Sequence, residues 1–147
     1  MYSWLVGQYV RFLVRRMLAG DIDLLVKQMS SRIEFTFPGR SSFAGTYHTR
    51  EEARAWLRRF LSLRPEYLVH DVLVSGTPWN TRIAYRMSDR IGEHYSNEAM
   101  VYVRFRWFRA TSFRVFLDTE RVSEWEREYP DETAPQHLTV GAGARGR

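Results

Sequence analysis

Between Thr81 and Asp118 the chain alternates residue by residue between two kinds of side chain. In residues 81–90 Ile83, Tyr85, Met87 and Asp89 fall at one parity, with Arg82, Arg86 and Ser88 at the other. In residues 97–107 Val101, Val103, Phe105 and Trp107 share a parity opposite Arg104 and Arg106. A period of two is the signature of a strand with two different faces. With the turn-like residues 91–94 between these runs and a third strand over 111–117, the pattern predicts an antiparallel meander. One face is arginine-rich; the other is apolar with a few acids and amides near its ends. Residues 67–75 predict a further strand, joined to the meander through 76–80, and 32–37 a short one stopped by Pro38-Gly39.

Ahead of the sheet the period changes to three-to-four. Leu5, Tyr9, Phe12, Leu13 and Met17, flanked by Val6, Val10 and Val14, predict a helix from residue 3, with Arg11 and Arg15 at its wet edge. Ala19-Gly20 breaks it, and Asp21 is placed to cap a second helix over 22–29. Thr49 followed by Glu52 forms a capping-box pattern for a helix over 50–63 that buries Ala53, Trp56, Leu57, Phe60 and Leu61. Helices first, then a run of strands, give an α+β fold: a curved antiparallel sheet against N-terminal helices, open at one end. The domain is expected over 1–129, with a short helix after Thr119. Residues 130–147, rich in Pro, Gly and Ala without periodicity, are expected to be disordered.

At 147 residues the chain is one domain with room for a core. It has no cysteine, which excludes disulfides and thiolate chemistry and suits a reducing cytoplasm. The N-terminus lacks the order of a secretion signal, and no stretch is long enough for a membrane span. The cytoplasm is therefore the expected location, with no membrane partner. The net charge of +5 comes from an almost purely arginine set, Lys27 being the one lysine. Those arginines are spread along the helices and strands, which argues against a nucleic-acid partner. The four histidines show no metal-ligand spacing and no serine sits in a glycine elbow, so neither zinc nor nucleophilic-serine chemistry is expected.

A set of segments in a recognisable order completes the reading: AGD at 19–21, FPGRSSFAGTY at 37–47, REEARAWL at 50–57, VHDVLVSGTPWNTR at 69–82, YSN at 95–97 and LDT at 117–119. Together, over about residues 5–125, they resemble the SnoaL-like branch of the nuclear transport factor 2-like superfamily. Polyketide cyclases belong to that branch, with ketosteroid isomerases and limonene-type epoxide hydrolases as relatives. The resemblance implies a cone-shaped α+β barrel, an apolar pocket for a hydrophobic small molecule and a homodimer through the outer face of the sheet. It implies no metal and no nucleotide cofactor. The activity it implies is acid–base cyclisation or isomerisation by carboxylates, with epoxide hydration or non-catalytic ligand binding as alternatives.

Carried over residue by residue, Asp118 sits where the family places a catalytic aspartate after the last long strand. Asp89 resembles the second aspartate of the epoxide hydrolases. The arginine those enzymes place between the acids would fall at Met87, a departure from the pattern. By parity Asp118 shares a face with Arg114 and Phe116, so either that side is the pocket or a bulge switches the alternation. Asn97 and Tyr47 are candidate donors to a substrate oxygen, and Tyr85, Phe105 and Trp107 candidate pocket walls. His70 and Asp71, adjacent along a strand, are expected on opposite faces, with Asp71 a candidate for the cavity side. His94 is expected exposed in a turn.

Overall fold

A computed structural model describes residues 1–134. Helix α1 (Tyr2–Leu18) and the short α2 (Ile22–Lys27) lead into strand β1 (Met29–Phe37), the short β2 (Gly45–Tyr47) and helix α3 (Arg50–Ser62). Four long strands follow: β3 (Glu66–Thr77), β4 (Asn80–Ile91), β5 (Tyr95–Arg106) and β6 (Arg109–Leu117). Helices α4 (Thr119–Glu128) and α5 (Pro130–Thr133) close the described chain. The strands form one sheet in the order β2-β1-β6-β5-β4-β3.

All neighbours in the sheet are antiparallel except β1 and β6, which run parallel. The predicted meander is correct for β3 to β6, whose consecutive members are joined by tight hairpins. β1 enters from the helices and completes the free edge of β6, a long-range pairing that no local pattern specifies.

The alternation fixes what each face carries. Ile83, Tyr85, Met87, Asp89 and Ile91 of β4 and Tyr95, Asn97, Ala99, Val101 and Val103 of β5 are all buried. Ile33, Phe35 and Phe37 of β1 join them, covered by Val10, Leu13 and Met17 of α1 and by Ala53, Leu57 and Phe60 of α3. Trp56 anchors α3 to the preceding loop: its indole donates to the Phe43 carbonyl at 2.9 Å, and its ring meets Phe35 edge-on at 4.8 Å. α3 starts where its capping box predicts, with Glu52 N–H donating to Thr49 Oγ1 at 3.1 Å and the Glu52 carboxylate accepting from Thr49 N–H at 3.1 Å.

A bulge in β3 between Val69 and Val72 bends the sheet over α1. Arg11, expected at a wet edge, instead reaches across and donates to the carbonyls of Val69 and His70, each at 2.7 Å. The extra residue also corrects the expectation for His70 and Asp71. His70 contacts Ser88 Oγ at 2.6 Å and Asp71 pairs with Arg86 at 3.1 Å, so both lie on the outer face and Asp71 is not in the cavity.

Asp21 makes no capping bond to α2; its carboxylate takes the Arg16 guanidinium at 2.6 Å instead. Residues 130–134 depart from the expected disorder. α5 folds back so that Glu132 accepts from the Trp125 indole at 2.8 Å and pairs with His94 at 2.7 Å, while the His94 ring stacks on Tyr129. The rest of that expected tail lies outside the described residues.

Candidate functional site

The sheet and helices enclose a hollow of about 110 Å³, walled almost entirely by apolar side chains of α1, α3 and the inner sheet face. One water needs roughly 10–15 Å³ in this measure, so the space admits a compact organic ligand. Its polar exceptions are few: Gln28, Tyr67, Tyr85 and Asp89.

Asp89 is the acid in this wall. It is 4% exposed, and its Oδ1 has no hydrogen-bond partner among the described residues. Burial pushes its carboxyl up to about 6, partly offset by the neighbouring Tyr95 hydroxyl, which favours the ionised form. Tyr67 faces it directly across the β3–β4 ladder, and Asn97 faces it across β4–β5. Without the β3 bulge the hairpin register would set Tyr67 against Arg90; the bulge is what brings this phenol opposite the acid. The Tyr67 and Tyr85 hydroxyls are free of hydrogen bonds to other described residues. Burial holds both well above the usual phenol range, so they are neutral donors at physiological pH.

Behind Asp89 runs a directed hydrogen-bond chain. Asn97 Oδ1 accepts from the Glu98 N–H at 2.9 Å, which fixes the orientation of the amide. Its Nδ2 then donates to the Tyr95 hydroxyl at 3.2 Å and to the Asp118 carbonyl at 2.9 Å. Having accepted from Asn97, the Tyr95 hydroxyl has its own proton free to give to Asp89. Asn97 thus lies behind the acid, in the wall of an open groove, and not in the hollow.

Asp118 lies outside the hollow. β6 ends at Leu117, the last of its side chains to line the hollow, and the chain turns there into α4. The Asp118 carboxylate caps that helix, its Oδ1 accepting from the N–H groups of Glu120 at 3.1 Å and Arg121 at 3.3 Å. It is half-exposed and lies 3.5 Å from the Arg121 guanidinium. The parity argument holds, since Phe113, Val115 and Leu117 are the residues that face the hollow. Asp118 lines a separate open groove with Asn97, Glu98 and Arg121; Tyr67 and Asp89 border both spaces.

Tyr47 is also outside the hollow. Its hydroxyl donates to the Phe43 carbonyl at 3.1 Å and its ring packs on Phe35. Phe105 and Tyr85 do line the hollow, whereas Trp107 falls one residue beyond the end of β5, in the turn, and is 72% exposed. Tyr67 and Tyr95 were not among the sequence candidates. Each looks like an ordinary strand aromatic until cross-strand register places it beside Asp89. Among the described residues no His, Asp and Glu cluster is arranged to hold a metal ion.

No protein-family model matches the chain, and no curated protein does. Solved structures do. Bal32a, from a soil-derived mobile gene cassette, superposes with a TM-score of 0.68 at 19% identity, covering 83% of this chain and 96% of that one. An NTF2-like protein of Burkholderia xenovorans LB400 gives 0.62 at 19% identity, over 80% and 92% of the two chains. The chain has the nuclear transport factor 2-like fold. A candidate SnoaL-like polyketide cyclase from Jannaschia sp. CCS1 shares it at a TM-score of 0.61 and 17% identity, over 80% and 88%. At such identities the likeness establishes the nuclear transport factor 2-like architecture and leaves the chemistry to the site itself. None of the described helices is long and apolar enough to cross a membrane.

Proposed function

We propose that this chain is a proton-transfer enzyme for a compact hydrophobic carbonyl compound, with Asp89 as the base and acid. The observation that carries the reading is the Asp89 carboxyl, buried in the wall of an apolar hollow with one oxygen unpartnered. A carboxyl pushed up to about 6 is matched to both taking and returning a proton near neutral pH.

In the reaction, the Asp89 carboxylate removes a proton from the carbon next to the substrate carbonyl. The C–H electron pair becomes the enolate, and the Tyr67 and Tyr85 hydroxyls donate to its oxygen. In an isomerisation, Asp89 returns the same proton to a different carbon of the conjugated system. In a cyclisation, the enolate carbon attacks a second carbonyl and Asp89 protonates the resulting alkoxide. The fold shared with the SnoaL-like polyketide cyclase candidate is consistent with either. The size of the hollow favours a mono- or bicyclic substrate over a four-ring one. Epoxide hydration has less support, since it calls for a second carboxyl and Asp89 is the one acid among the lining residues.

That single acid also keeps a second reading in view, a ligand-binding domain without turnover. Deuterium exchange at the α-carbon of α-tetralone in D₂O, followed by proton NMR, separates the two. The enzyme reading expects exchange that Asp89→Asn abolishes while the ligand still binds. Exchange that survives in the variant, or ligand binding with no exchange by the unmodified protein, refutes the role given to Asp89.

The outer sheet face, where Leu73, Met100 and Phe116 are exposed, is the proposed homodimer contact.

A further inference from the structure

Two hairpin tips meet at one end of the sheet. The β3–β4 turn holds Trp79, the β5–β6 turn is Trp107-Phe108, and the Trp107 N–H donates to the Trp79 carbonyl at 3.0 Å. All three rings face solvent: Trp79 is 54%, Trp107 72% and Phe108 66% exposed. The turn is also strained. Trp107 and Phe108 adopt φ of +48° and +62°, the left-handed pair of a two-residue type I′ hairpin, where Asn-Gly is the favoured sequence. Two large aromatics there gain neither burial nor an easy backbone, a combination that points to a surface role.

The arginines around this tip are arranged just as unfavourably for an isolated protein. Arg82 lies directly opposite Arg104 and Arg106 directly opposite Arg109, like charge against like. All four are exposed, and none forms an ion pair with a carboxylate among the described residues. The first turn of α1 is held at the same end by a hydrogen bond between the Tyr2 hydroxyl and Thr81, with Trp4 and Leu5 exposed.

We infer that this aromatic, arginine-flanked tip docks on the surface of an anionic lipid bilayer. Tryptophan and phenylalanine on convex loops suit the headgroup boundary, and arginines without carboxylate partners complement lipid phosphates, although Arg109 also donates to the Lys27 carbonyl. A nucleic acid is the weaker match, because the rings crown two turns instead of lining a groove that could hold a strand. Phe105 and Ala110, paired just behind the β5–β6 turn, line the hollow. Docking would therefore bring one end of the hollow close to a reservoir of apolar molecules. The inference stands on the tip alone and does not depend on the chemistry proposed for Asp89.

The test is flotation of the full chain with phosphatidylcholine vesicles, with and without phosphatidylglycerol, alongside tryptophan quenching by brominated lipid. The key variant replaces the turn by its favoured sequence, Trp107→Asn with Phe108→Gly, which relieves the backbone and keeps the hairpin. The expected result is salt-sensitive binding to the anionic vesicles only, weakened about tenfold or more in this variant and in Arg82→Ser with Arg106→Ser, while the turn variant melts no lower than the unmodified protein. Three results overturn the inference: no binding to anionic vesicles, binding untouched by either variant, or a tip whose substitution alters only oligomer size or RNA binding.

Discussion

Replacing Asp89 by Asn tests the central feature of the site without needing a substrate. The Asp89 carboxyl is raised from its ordinary value of 3.8 to about 6 because burial penalises the charged form. That shift corresponds to about 3 kcal/mol against the folded state wherever the group must be ionised. Below about pH 4 both folded and unfolded chains hold the proton, and the penalty is absent. As pH rises from about 4 to about 6 the unfolded chain releases its proton first, and stability falls. Above about 6 both states are ionised and the full penalty remains.

Asparagine has no proton to lose, and the other titrating groups are common to both proteins. The difference in unfolding free energy between Asp89→Asn and the unmodified chain should therefore move by about 2.5 kcal/mol in the variant's favour between pH 4 and pH 8. Urea unfolding at a series of pH values measures it directly, with the midpoint of the change between about pH 4 and 6. A difference that stays flat to within about 0.5 kcal/mol across that range would refute the argument. It would mean the carboxyl is hydrated or paired, and not held in a dry wall.

Asp118→Ala should cost about 0.5–2 kcal/mol through loss of the α4 cap, with no effect on α-proton exchange; a collapse of exchange with stability retained would return this residue to the chemistry. Asn97→Ala should cost about 1–3 kcal/mol by stranding the Glu98 N–H and the Asp118 carbonyl. It should also move the Asp89 carboxyl further upward, because the Tyr95 hydroxyl is no longer oriented toward it. Carbon-detected NMR of the Asp89 side chain reads that movement, and an unmoved titration would reduce Asn97 to a structural amide.

The alternation of β4 and β5 decided more of the site than the family resemblance did. Parity alone put Tyr85, Met87 and Asp89 on one inward face and set Asp118 against the apolar residues of β6. The resemblance favoured Asp118, but a strand that ends at Leu117 and a helix that begins at Thr119 leave its carboxylate at a cap. Capping boxes and helix breaks are short-range, since their donors and acceptors are a few residues apart, and Thr49 with Glu52 was legible for that reason. Tyr67 was not legible, because one extra residue in β3 shifts its cross-strand partner and nothing in the local sequence announces the bulge.

The sequence by itself determined the alternation of β4 and β5, where α1 and α3 lie along the chain, and that Asp89 shares a parity with Ile83, Tyr85 and Met87; it left Asp71 and Asp118 open as further acids of the pocket. Side-chain alternation and helical spacing are properties of the backbone repeat, so they survive without knowledge of neighbours. Tertiary structure decided what surrounds Asp89, and how the arginines are grouped. Burial and charge density depend on residues far apart in the chain. Cross-strand pairing sets Tyr67 and Asn97 on either side of Asp89, and it gathers Arg82, Arg104, Arg106 and Arg109 at one end of a sheet although the sequence scatters them.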